Sequence, residues 1–347
     1  MLFPLPKLRR LSNRPTAFLV GKLRRLVPAF AAGFIFAAPV AAQDAPACAG
    51  KDLSDAAGVV EAKTKRADDL VNGEGLFWRI EKPGEPVSYL FGTIHSTDAT
   101  ALAFARRAAA TIPSVKAVAT ELGPMDATEK ANVSAAFLAK ALERDHDTFD
   151  AVPEKDRAAV EKMVTELGYP SEFAHHLKLW FLAVLTATPA CETKRASAGL
   201  PEMDEFLMDE AQRAGVRVVG LETAQEQMDA VAAIDPKVAG LLLAVAARDD
   251  KLDDDVYATT LKLYLAERPA DVLAVGDVVG DMSPQERDAQ DVFTRLLLVR
   301  RNATMIERMG PYLREGAFVA VGALHLPGKD GLIARLRGGG YTVTKEW

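Results

Sequence analysis

The stretch SYLFGTIHSTD, residues 88–98, runs from an apolar segment into a glycine and sets a histidine three positions later. FVAVGALHLPG, residues 318–328, repeats that order near the other end of the chain. Short apolar runs bounded by turn residues read as strands buried in a sheet. One GxxH segment carries little weight, because Gly and His meet often by chance. A lone His95 reads as a loop histidine making one hydrogen bond. Two copies at matching strand ends, in a chain with only five histidines, read as one unit used twice and point to a site at His95 and His325.

Working outward, residues 76–80 and 87–91 flank a Pro-Gly turn signal and predict a hairpin that ends in the first GxxH. A short β run at 115–120 ends at Glu121, and another at 216–221 ends at Glu222. Residues 101–110 predict an Ala-rich helix, and helices are expected at about 127–143, 154–167, 171–187 and 202–214. Further helices fill 224–315, the last long one over 284–308. YTVTKE supplies a final strand. The alternation predicts an α/β fold: a central, mostly parallel sheet built from two related halves with GxxH strand ends, plus a large helical insertion at about 126–214.

Four apolar runs thus end in His95, Glu121, Glu222 and His325. In open α/β sheets the ligand site lies beyond the carboxyl ends of the strands. If the four strands are parallel neighbours, two imidazoles and two carboxylates converge. That is the donor set of a catalytic metal site with an open position, and a carboxylate left off the metal can act as general base. The glycines are expected to let the backbone turn sharply at the strand ends. The alternative for Glu121 and Glu222 is an ordinary acid near a helix N-terminus, favoured by the helix dipole. Arg301 and Asn302 lie on an amphipathic helix. They read either as a solvated face or as groups that hold a substrate carbonyl or carboxylate. His175 and His176 precede LKLWFLAVL and read as helix packing.

The first 42 residues have the order of a secretory signal: a basic leader, an apolar stretch rich in Ala and Gly, and Val40-Ala41-Ala42 as a small-residue cleavage site. An uncleaved anchor is the competing reading. Residues 43–72 then read as a linker with a short helix, and 73–347 as the main domain. The whole chain has 42 basic and 48 acidic residues. Seven basic residues and no acid lie in the leader, so cleavage leaves 35 against 48, a net of −13. Such a charge disfavours nucleic acid and anionic membrane surfaces as partners. No segment after the leader is apolar for long enough to span a bilayer. The two cysteines, Cys48 and Cys191, suggest one disulfide in an exported protein.

The segments LFGTIHSTD, VATELGP, VVGLETAQEQ, RNATM and VAVGALHLPGKDGLIARLRGGGYTV, in that order, resemble the TraB/GumN family, which includes the Tiki metalloproteases. The resemblance runs from about residue 75 to the C-terminus. It implies an α/β core of two related halves with a helical insert. It also implies a divalent cation, manganese or cobalt with zinc as an option, at His95 and His325 with Glu121 and Glu222, and it supports Arg301 and Asn302 as site residues. Asp204, in GLPEMDEFL, departs from the spacing of the family's Gly-Leu-Asp segment and stays outside the expected site. The expected activity is that of an exported metal-dependent hydrolase, a peptidase acting on a peptide or small-molecule substrate in the periplasm or outside the cell. The rivals are a non-catalytic binding or accessory protein for peptide or polysaccharide export, and a metal-independent esterase using His and Glu as acid and base.

Overall fold

The computed structural model describes residues 48–249 and 251–347. The expected leader, residues 1–42, lies outside the described residues. Six strands form one sheet: β1 (Phe77–Glu81), β2 (Ser88–Thr93), β3 (Ala117–Leu122), β4 (Arg217–Glu222), β5 (Ala317–Gly322) and β6 (Thr342–Lys345). Their order across the sheet is β4-β3-β5-β2-β1-β6. The first four in that order run parallel. β1 is antiparallel to both of its neighbours, so β1 and β2 form the expected hairpin. The two GxxH strands, β2 and β5, are direct neighbours, with Tyr89 opposite Phe318 and Thr93 opposite Gly322.

Both faces of the sheet are covered at its centre, which is why β2, β3 and β5 read as largely apolar runs. In β5, Phe318 and Ala320 turn to one face, against the helices Ala99–Ala109 and Met203–Arg213. Val319 and Val321 turn to the other, against the helices Pro284–Leu313 and Leu332–Gly338. Phe318 is fully buried, and its truncation to Ala would cost about 3–5 kcal/mol.

The connection from β3 to β4 is the helical insertion, and it builds a core of its own. Phe149, Val160, Phe181 and Leu182 pack there with Ile234 and Leu243, which come from beyond β4. Two of its details differ from the sequence reading. The helix expected over 171–187 is two short helices, Ser171–Ala174 and Leu179–Thr186, with Leu177 bridging to Leu142 between them. The connector TPACETKRASAGLP contains the helix Ala190–Ser197. Eight residues are marginal as an isolated helix. Here Cys191 is bonded to Cys48 and Glu192 is buried, so tertiary bonds order it. The expected disulfide therefore forms, with Cα atoms 5.3 Å apart. Closing a loop across a separation of 143 residues is worth about 5 kcal/mol on a chain-entropy basis.

The long helix expected to stop at 308 runs to Leu313, through Pro311. Pro311 forfeits one backbone bond in the last turn. Met309 and Leu313 are buried against the sheet in that same turn, and their burial outweighs the loss. Ser283 and Glu286 close a reciprocal cap at the other end. Among the described residues, no helix is long and apolar enough to cross a membrane.

Candidate functional site

The strand order sets the carboxyl ends side by side as Glu222, Glu121, His325, His95, on β4, β3, β5 and β2 respectively. Glu121 is the hub. Its Oε1 accepts the Gly322 N–H at 2.7 Å and lies 3.6 Å from His325 Nε2. Its Oε2 accepts from Arg301 Nη2 at 2.5 Å and from Gln227 Nε2 at 3.2 Å.

The glycines work differently from the sequence expectation. Neither Gly92 nor Gly322 has positive φ, so no left-handed turn calls for glycine there. Proximity does. A Cβ on Gly322 would come within 3.2 Å of Glu121 Oε1, and one on Gly92 within 3.0 Å of Ala323. Without side chains, the carboxylate can reach the Gly322 amide and the His325 turn can cross over β2.

The Pro284–Leu313 helix passes beneath these strand ends and contributes two adjacent residues. Arg301 binds Glu222 through Nε, 3.0 Å from both carboxylate oxygens, and through Nη2 at 2.6 Å. Glu222 is thus fully engaged by a cation of the protein itself. Burial works against the charge on Arg301, but its pairs with Glu222 and Glu121 outweigh burial and hold it above the usual arginine value.

Asn302, buried, donates from Nδ2 to the Asp330 carbonyl at 3.1 Å. Its Oδ1 therefore faces His325 Nδ1, 2.7 Å away, and can only accept. That assignment puts the ring proton on Nδ1 and leaves the Nε2 lone pair turned towards Glu121. Burial pushes the His325 imidazolium down to about 4, with help from Arg301 and His95 and against the pull of Glu121, so the ring is neutral at pH 7. Burial would raise Glu121, but attraction from His325 when protonated, from Arg301 and from the Gly322 amide outweighs it and holds the carboxyl well below its usual range.

His95 differs. Its side chain is 58% exposed, and Nδ1 lies 3.8 Å from Glu202 Oε2. It shares a cleft with Glu121, Asp204, Thr120, Gln227 and Met208. The cleft has about 20 Å³ of water-accessible volume, room for one water or ion. A wider groove of about 430 Å³ shares Met208 with it and runs between the Gly123-Pro124-Met125 segment, the Gly199-Leu200-Pro201 turn and the side of the Met203–Arg213 helix as far as Gln212.

Residues 76–345 match the model of the TraB/PrgY/gumN family. The chain belongs to that family. No curated protein and no solved structure matches it. The TraB/PrgY/gumN match takes in all six strands and every site residue named so far. Within this TraB/PrgY/gumN domain, the sequence reading missed Asp204 and Gln227. Asp204 lines the cleft and accepts the Thr93 hydroxyl at 3.3 Å on each oxygen. Burial, and repulsion from Glu121 and Glu202, push it up to about 6 against the attraction of His95. Its signal was the acid in GLPEMDEFL, set aside for its spacing. Gln227 donates to both Glu121 and Glu222 at 3.2 Å, and in VVGLETAQEQ nothing separates it from an ordinary helix residue. Among the described residues, no group of three or more His, Cys, Asp or Glu side chains is already gathered at metal-binding geometry.

Proposed function

We propose that this TraB/PrgY/gumN protein is an exported metal-dependent hydrolase, most simply a peptidase, of the periplasm or extracellular space. One observation carries the reading: His325 Nε2 and Glu121 Oε1 lie 3.6 Å apart. With the proton on Nδ1, both atoms are acceptors and no hydrogen stands between them. Two donors bound to one tetrahedral ion at bond lengths near 2.1 Å sit about 3.4 Å from each other. The pair has the spacing and chemistry of two ligands that share a cation. His95, beside them in the cleft, would supply a third. Glu222 would join only by giving up part of its grip on Arg301, so in the arrangement seen it steadies Arg301 and, through it, Glu121. Manganese, cobalt and zinc all suit two imidazoles and a carboxylate.

A bound divalent cation supplies Lewis acidity: it lowers the pKa of water and polarises a carbonyl. The protein's own residues do the rest. Asp204 lines the same cleft, is held among the described residues by the Thr93 hydroxyl, and can take a proton from water and pass it to a leaving amine. Arg301, Gln227 and the Gly322 amide hold Glu121 in place. Asn302 holds the His325 tautomer. The groove past Met208 has room for the chain of a peptide on one side of the reacting bond. The disulfide and the leader-like first 42 residues support export.

The test strips the purified mature chain with chelator and reloads it with Mn²⁺, Co²⁺ or Zn²⁺. Metal content and cleavage of a peptide library are then measured for wild type, His95→Ala and His325→Ala. Cleavage that requires metal and fails in both variants supports the reading. Two variants that keep both metal and cleavage overturn it. Full activity in chelator selects a metal-independent esterase, and peptide capture without product selects a binding protein.

A further inference from the structure

Among the described residues, the His95 ring makes no hydrogen bond: Nδ1 is 3.8 Å from Glu202 Oε2, beyond bonding reach, and the ring is mostly exposed. Its position is inherited from the backbone on either side. On one side is β2, locked in the sheet. On the other are Ser96 and Thr97, which are 0% and 3% exposed although they lie in a loop. Buried loop backbone needs partners. One short helix provides them.

That helix is Ala190–Ser197. Glu192, 4% exposed, accepts with Oε2 from the Thr97 N–H at 2.8 Å and the Thr97 hydroxyl at 2.9 Å. Its Oε1 accepts from the Tyr257 hydroxyl at 2.6 Å, and that oxygen is 2.7 Å from Ser96 Oγ. One turn on, Arg195 Nη2 donates to the Thr97 carbonyl at 3.2 Å. Both backbone groups of Thr97 are therefore held by this helix. The residue before Glu192 is Cys191, bonded to Cys48. A short helix between loops would fray alone, and the bridge pins its first turn.

We infer that Glu192 is a positioning residue for His95, acting through Ser96 and Thr97 and anchored by the Cys48–Cys191 bridge. The inference rests on the reading of His95 as a metal ligand. An ionised carboxylate suits this place because all three groups aimed at it are donors. An amide in its stead would point N–H groups at one of them. A ligand whose ring is mostly exposed needs such support, as residues behind first ligands typically change metal affinity by about 10–100-fold.

The test compares the full mature chain with Glu192→Gln, Tyr257→Phe and the double variant Cys48→Ser/Cys191→Ser. Glu286→Gln, which weakens a buried ion pair of the helical region, is the control for general destabilisation. Two readouts are taken below the unfolding transition of every variant: the His95 imidazole resonances without metal, and the Mn²⁺ dissociation constant. Glu192→Gln should shift or broaden the His95 resonances while those of His146, His175 and His325 hold, and raise the Mn²⁺ dissociation constant about tenfold. Tyr257→Phe and the double Ser variant should do the same more weakly, and Glu286→Gln should do neither. Unmoved His95 resonances in folded Glu192→Gln overturn the inference, as does an equal change in Glu286→Gln. If wild type binds no Mn²⁺, the functional reading falls, and the metal-free resonances still decide whether Glu192 positions His95.

Discussion

The two GxxH corners are built from the same motif and end in opposite states. His325 is buried, neutral, fixed in one tautomer by Asn302, and 3.6 Å from Glu121. His95, just past the end of the neighbouring strand, is 58% exposed, with Nδ1 3.8 Å from Glu202 and the cleft carboxylates Glu121 and Asp204 around it. The difference comes from what crosses each corner. The Pro284–Leu313 helix passes under β5 and brings Asn302 to His325. Among the described residues, no passing helix hydrogen-bonds the His95 ring; the Ala190–Ser197 helix holds the residues that follow it. A motif repeat thus makes two strand ends alike, and the surroundings bury one and leave the other open to solvent.

The largest effect should come from His325→Ala or Glu121→Gln, which break the buried corner. Either should reduce metal-dependent cleavage by more than the roughly 10–100-fold expected of a supporting residue. Steady-state rates at saturating Mn²⁺ check this, and near-wild-type rates would sink the assignment of that corner. Arg301→Met should cost about 3–5 kcal/mol of stability, because it leaves the buried Glu222 and the partly buried Glu121 without their cation. Denaturant unfolding measures it. Asn302→Leu should release the His325 tautomer and weaken Mn²⁺ binding about 10–100-fold. Titration calorimetry reads the loss, and an unchanged affinity would mean that the tautomer is set by something else.

A separate ion-pair cluster, Arg248 with Asp156 and Glu286, lies in the helical region, where pH sharpens the contrast. Arg248, then the Ser283 cap, draw the Glu286 carboxyl down to about 2, against a smaller opposing effect of burial. Its ordinary value is 4.5. Because the folded value is depressed, the pair stabilises fully above about pH 4.5 and loses its effect as pH falls through about 2. The stability gap between wild type and Glu286→Gln should close across that window, as followed by thermal unfolding. The smallest effect on stability belongs to the open corner. His95→Ala should change stability by no more than about 0.5 kcal/mol, as for an exposed side chain, while removing activity. A large destabilisation would show that His95 is packed after all.

Much of this was legible in the chain itself. Apolar runs ending in GTIH and GALH announce strands with chemistry at their carboxyl ends, and buried strands must lie in a covered sheet. The runs ending at Glu121 and Glu222 follow the same rule, and a chain with two cysteines leaves one intramolecular pairing. Tertiary structure alone decided that β5 inserts between β2 and β3, which sets Glu121 beside His325 and Glu222 farther along the row. It alone turned Arg301 onto two glutamates and Asn302 onto His325, brought Asp204 into the cleft, and bound Glu192 to the loop behind His95. The physical reason is range. Burial and strand ends are written in a local pattern of apolar and turn residues. Which polar groups meet depends on contacts between residues 23 positions apart for Asn302 and His325 and 180 apart for Glu121 and Arg301, and no local pattern encodes them.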